Sequence, residues 1–217
     1  MARRPGLDRR AIIEEAAALA DELGLENVTL ANLAERLKIR PPSLYNHIAG
    51  TDELHAGLAL LGVRTLQTEI ARAAIGRNGV EGVIAVADAY RRFAKSRPGL
   101  YRATLSAPEQ TDVERIAVAS EILDVMRAVM LPLQLRGDEV IHAMRALRSL
   151  MHGFVSLEAV HGFGLPQDVD ESFRFMLLAF VRAFDPDRIA AVPELSLLDA
   201  APPKKPQPKA HPSPMPL

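Results

Sequence analysis

The chain has 217 residues, 48% of them apolar and 24% charged, with a formal net charge of −1. That length suits a small head and one larger helical domain, but the charge lacks the basic excess that alone would mark a nucleic-acid binder. Cysteine is absent, which excludes disulfides, thiolate metal sites and thiol nucleophiles.

No apolar run reaches membrane-spanning length. The start, MARRPGLDRR, has arginines but no apolar stretch behind them, so it does not read as a signal peptide. A cytoplasmic protein without a membrane partner is expected. Arg3 and Arg4 could form a phosphate-seeking arm. Residues 7–23 predict a strong amphipathic helix with Ile12, Ile13, Ala16, Ala17, Leu19, Ala20 and Leu23 on its apolar face, stopped by Gly24.

Residues 29–48, TLANLAERLKIRPPSLYNHI, predict two helices around a tight turn. Thr29 is placed to cap the first, in which Leu30, Leu33, Ala34 and Leu37 share a face. Lys38 stands where such a turn usually has glycine, at the modest cost of a non-glycine residue at positive φ. Pro41-Pro42 opens the second helix, expected from about Pro41 to His47, and holds Arg40 extended. Leu44 and Ile48 turn inward, leaving Arg40, Ser43, Tyr45, Asn46 and His47 as an outer surface. This is a helix-turn-helix, whose second helix fits the major groove. The first 50 residues carry seven basic and seven acidic side chains, so affinity for DNA must rest on where the cations lie. They gather at the start of the chain and at the turn; most acids fall on 14–26.

Thr51 is placed to cap a long helix over 51–73, the expected link from head to body and the expected route of coupling between them. Further helices are expected over 80–96, 98–106, 111–134, 138–160 and 168–184, separated by turns at 76–79, 107–110 and 161–166. No alternating strand pattern or repeat is found. The class is all-α: a three-helix head over 1–50 and a helical bundle over 51–185, about nine helices in all. Nine of the sixteen prolines lie between Pro186 and Pro216, and the segment 186–217 reads as a disordered tail.

The string Thr29-Leu30-x-x-Leu33-Ala34-x-x-Leu37, then Ser43-Leu44-Tyr45-x-His47 and Asp52-Glu53-Leu54, resembles the head of the TetR family of transcriptional regulators. Met151-His152-Gly153 weakly resembles the Trp-His-Gly motif of one C-terminal subclass, with Met151 in place of Trp. The resemblance implies a homodimer on double-stranded operator DNA, a repressor more than an activator, and an unknown small-molecule effector bound in the body. It implies phosphate contact by Thr29, Tyr45 and His47, and base or groove contact by Arg40, Pro41, Ser43 and Asn46. Thr51 stands where the family often has a phosphate-binding Lys, and Ile48 where it has Phe, so one phosphate contact is left open.

The body pocket is expected to be apolar with a few polar groups. Its candidates are Tyr101, Arg102, Met126, His142, His152 and Phe175. The last two helices look too apolar for one-sided burial, and Phe173, Met176, Leu177, Phe180 and Val181 are expected to form a four-helix interface with a second subunit. A rival reading, a di-iron helical bundle, draws on Glu139-x-x-His142 and Glu158-x-x-His161. On one helix those pairs stand about 28 Å apart, at 1.5 Å per residue, too far to share a cluster. No catalytic residue, metal or cofactor is therefore expected.

Overall fold

The computed structural model describes residues 8–184. The helices are α1 (Arg9–Leu23), α2 (Leu30–Leu37), α3 (Pro41–Leu44), α4 (Thr51–Ala74), α5 (Gly79–Ser96), α6 (Pro98–Ala103), α7 (Val113–Met130), α8 (Glu139–Ala159) and α9 (Val169–Arg182). No strand occurs among the described residues, and the chain is all-α as expected. Residues 1–7, with Arg3 and Arg4, and the proline-rich segment 186–217 lie outside the described residues.

Polar side chains fix the helix starts. Asp8 accepts the Ala11 N–H at 2.8 Å, Thr29 the Asn32 N–H at 3.1 Å, and Asp168 the Glu171 N–H at 2.8 Å, each pairing an amide that the helix itself leaves free. Thr51 does not cap α4; it is the helix's first residue. Instead the Glu53 carboxylate reaches back to the Ala49 N–H at 2.6 Å. That carboxylate also meets the positive end of the helix. Pro132 cuts α7 at Met130, short of the expected 134, and leaves a 3-10 turn over Leu131–Leu133.

Ile12, Leu33, Leu44, Ile48 and Leu54 are at most 1% exposed and knit α1 to α4. Each such side chain contributes roughly 1.5–3 kcal/mol. Their core runs without a break into the body. There α4 packs on α5, α6 and α7. α6 crosses it at Gly62, where a Cβ would sit 2.9 Å from the Leu100 carbonyl oxygen and 2.7 Å from the Thr104 methyl.

Two expectations are corrected by this packing. The first is that α4 alone joins head to body. α1 also rests on α6: Asp21 accepts the Gly99 and Leu100 N–H groups at 3.0 and 3.1 Å and pairs with Arg97. The second concerns α9. Phe173, Leu177, Phe180 and Val181 are buried within this same chain, because α9 turns its widest apolar face onto α5 and α8. They are not free for a second subunit.

Candidate functional site

The turn between α2 and α3 closes on backbone chemistry. Lys38 adopts φ 57°, ψ 41° and gives its N–H to Glu35, while the Ile39 N–H reaches back to the Ala34 carbonyl, both at 3.0 Å. This pair of bonds is the Schellman ending, usually built on glycine. Arg40 is extended at φ −78°, ψ 140°, and Pro41 and Pro42 start α3. The regular helix is shorter than expected, ending at Leu44. Residues 45–47 continue as a turn, with the His47 and Ile48 N–H groups both 2.9 Å from the Leu44 carbonyl.

This backbone buries Leu44 and Ile48 and turns other side chains outward. Arg40, Pro41, Tyr45 and Asn46 are exposed, Tyr45 at 58%; Ser43 and His47 are half-buried. Thr29 is exposed at the N-terminal end of α2. Its hydroxyl oxygen accepts from Asn32 and leaves its own proton to donate outward.

The placement of charge resolves the neutral count of the head. Arg36 is held by Glu22 at 2.7 Å and Glu15 at 3.0 Å, and these bonds raise its pKa further. Glu22 is correspondingly held below its ordinary value by Arg36. Arg9 pairs with Glu53 and Arg10 with Glu14, both at 2.9 Å. Among the described residues of the head, only Lys38 and Arg40 are cations without an ion pair, and both border the turn.

In the body a cavity of about 280 Å³ opens between α4, α5, α7 and α8. Val63, Leu66 and Ile70 come from α4, Met126 from α7, and Met144, Leu147 and Met151 from α8. Thr104 and Ser106, just past α6, close one side. Polar groups enter at Tyr90, Arg115 and Arg148. The Tyr90 hydroxyl bonds the Tyr101 hydroxyl at 2.9 Å, and Tyr101 bonds His152 Nδ1 at 2.6 Å. Burial, then the Tyr90 bond, pushes Tyr101 well above an ordinary tyrosine. Burial also raises Tyr90, against the pull of Tyr101 and of the nearby Arg148 charge. A wider concavity of about 720 Å³ beside Asp88, Arg92 and Arg97 is open and lined mostly by charged or polar side chains.

Of the six residues expected to line the pocket, Met126 borders the cavity directly. Tyr101 and His152 stand behind Tyr90 as its hydrogen-bonded support. Arg102, His142 and Phe175 lie elsewhere: all three are exposed, Phe175 at 75%, because the inward positions of α6, α8 and α9 are taken by their neighbours Tyr101, Ala143 and Phe173. The residues missed were Tyr90, Arg115 and Arg148. The signal for the arginines was present: Arg115 shares a helical stripe with Ala119, Ile122 and Met126, and Arg148 one with Met144 and Met151. Gly153, the last residue of the Met151-His152-Gly153 motif, has nothing within 4 Å of where a Cβ would stand, and lies on the exposed side of α8.

That exposed side is apolar. Ala146, Leu150, Gly153 and Leu157 follow in steps of four, three and four along α8, Val160 stands just past its end, and Phe175 and Ala179 are exposed on α9. The di-iron reading loses a ligand here. Glu158 bonds Arg91 and Lys95, both at 2.7 Å, and His161 lies beyond the end of α8 at φ 54°. Among the described residues no three His, Asp or Glu side chains gather as a metal site.

Comparison with known proteins places these features in a family context. A family described as "Tetracyclin repressor-like, C-terminal domain" matches residues 83–180. An uncharacterized HTH-type transcriptional regulator, YobS, of Bacillus subtilis (strain 168) is 35% identical over 182 residues, 83% of this chain and 94% of the relative. A second such regulator, Rv0681 of Mycobacterium tuberculosis (strain ATCC 25618 / H37Rv), is 32% identical over 176 residues, 78% of this chain and 77% of its own. Among solved structures, the TetR family transcriptional regulator PfmR from Thermus thermophilus superposes with a TM-score of 0.59 at 22% identity, covering 79% of this chain and 97% of that one.

Proposed function

This chain belongs to the TetR family of helix-turn-helix transcriptional regulators, and we propose that it is a cytoplasmic homodimeric repressor, not an enzyme, released from operator DNA by a small molecule. The observation that carries the DNA contact is the pairing pattern of the head. Arg36, Arg9 and Arg10 are paired with carboxylates, while Lys38 and Arg40, beside an exposed Tyr45, make no ion pair among the described residues. Two unpaired cations at the tip of a helix-turn-helix favour phosphate and groove contact over an inert surface. Thr29, Tyr45 and His47 hold phosphates and fix register; Arg40, Pro41, Ser43 and Asn46 face the groove.

The second subunit packs against α8 and α9 through Leu150, Gly153, Leu157 and Phe175, in place of the side chains expected from sequence. Their exposure as apolar positions of one protomer supports this interface. The effector occupies the cavity beside α4. Thr104 ties that cavity to α6, and α6 holds the head through Asp21. A ligand that prefers one setting of α4 and α6 shifts the population of head spacings, and with it operator affinity.

The test is a gel shift with DNA from upstream of the chain's own gene over a series of salt concentrations. Binding that weakens steeply as salt rises is expected. Failure to bind any genomic fragment at low salt would overturn the assignment to DNA.

A further inference from the structure

The body cavity is lined mostly by apolar side chains, with Arg115 and Arg148 among its lining residues. Arg115 is 7% exposed, and its guanidinium bonds the backbone and side-chain oxygens of Ser106. Its Nε, buried among the residues that line the cavity, has no hydrogen-bond partner among the described residues. Arg148 also lines the cavity and makes no ion pair among the described residues. Among the described residues, no Asp or Glu lines the cavity. Asp112 stands 3.9 Å from Arg115 and offsets one of the two positive charges. One positive charge is left over.

We propose that the effector is a small monocarboxylic acid with an apolar body, its carboxylate set between Arg115, Arg148 and the Tyr90 hydroxyl. This builds on the regulator assignment above and specifies the chemistry of its ligand. The fork of arginine N–H groups matches a carboxylate, and a single net positive charge suits a monoanion better than a doubly charged phosphate monoester. Size sets a further bound. At about 30 Å³ per atom-sized unit of liquid, a cavity of about 280 Å³ holds on the order of ten non-hydrogen atoms. Leu66, Met126, Leu147 and Met151 receive the apolar body, with the methionines adapting to its shape.

The experiment uses the full chain and isothermal titration with hexanoate, octanoate, decanoate and phenylacetate. 1-Octanol and octylammonium serve as neutral and cationic counterparts. At least one acid should bind saturably, tenfold or more tighter than 1-octanol, with no binding of octylammonium. Arg148→Ala, at an exposed position, should weaken that acid about tenfold. Arg115→Met should do the same where it folds. Absence of saturable binding by every acid, equal binding of acid and alcohol, or an unchanged affinity in Arg148→Ala each overturns the proposal. A gel shift without added acid, run in parallel, separates the two failures. DNA binding without acid binding removes this proposal alone, and acid binding without DNA binding supports the cavity chemistry while removing the regulator assignment.

Discussion

Asp21 on the last turn of α1 accepts the Gly99 N–H at 3.0 Å, and a Cβ on Gly99 would stand 2.1 Å from the Ala20 backbone. The head is thus seated on the first turn of α6 by a glycine that lets two backbones touch. Asp21 supplies an acceptor for the two amides that open α6 and a partner for Arg97. With α4 covalently continuous with the head, this contact makes a second mechanical link between cavity and turn.

Gly99→Ala is therefore expected to push α1 off α6. Backbone cannot swing aside as a side chain can, so the cost is about 1–3 kcal/mol. Thermal unfolding should report it as a lower Tm, by roughly 2–4 °C per kcal/mol for a chain of this size. The folded variant should also respond less to effector in a gel shift, since one of its two links is loosened. An unchanged Tm together with an unchanged effector response would show that the contact is incidental.

Lys38→Gly separates stability from binding. Lys38 sits in the left-handed region, which costs an L-residue roughly 1–2 kcal/mol. Glycine gives up about 0.5–1 kcal/mol in chain entropy. The variant should gain up to about 1 kcal/mol of stability. It also loses one of the two unpaired cations at the turn, so the slope of log affinity against log salt should flatten by about one. Tyr45→Phe, which removes a hydroxyl and no charge, should weaken DNA binding and leave that slope alone. A Lys38→Gly protein whose slope is unchanged would remove Lys38 from the phosphate contacts.

Thr29, Gly24 and Pro41 were legible because each acts within a turn of itself, through a hydroxyl, a missing Cβ or a fixed φ. Thr51 shows the limit of that approach. It had the right chemistry for a cap, but the chain enters α4 through Gly50, so Thr51 is already inside the helix, and Glu53 pairs a different free amide, that of Ala49. Helical period identified α9 as apolar on more than one side without stating which side faces its own chain. Phe173 went inward and Phe175 outward, and only packing against α5 and α8 decides between them. The cavity was least legible. Tyr90, Arg115 and Arg148 line it from three helices, and the stripes that hold the two arginines do not say that they share one cavity.

Leu157 offers the sharpest test of assembly. It is 51% exposed on α8, so replacing it costs the isolated protomer little. Leu157→Glu places a charge in the centre of the apolar surface, where burial against a partner would require desolvating it. A folded monomer is expected by circular dichroism and sedimentation, with operator affinity reduced at least tenfold because two heads no longer bind as one unit. A dimer that survives this change would move the interface away from α8.

The ion pairs behind that surface carry a pH signature. Arg91 lies over the rings of Phe173 and Phe154, 4.9 and 5.6 Å from their centroids, and pairs with Glu158 and Asp170, both at 2.7 Å. Arg91 first, with Lys95 also contributing, holds the Glu158 carboxyl at about 2 against an ordinary 4.5. The folded chain therefore binds fewer protons here than the unfolded chain as pH falls through that interval. Stability from this group is fully present above about pH 4.5 and is lost as pH approaches 2. Glu158→Gln removes the carboxylate and leaves Arg91, 9% exposed, with only Asp170 at the junction of α5, α8 and α9. Breaking one side of such a buried pair costs about 3 kcal/mol. The variant should be less stable than the parent at pH 7, and the gap should narrow between pH 4.5 and 2 as the parent loses the same interaction. Urea unfolding at several pH values measures both. A gap that stays constant down to pH 2 would mean that Glu158 stabilises α8 by packing and not by its charge.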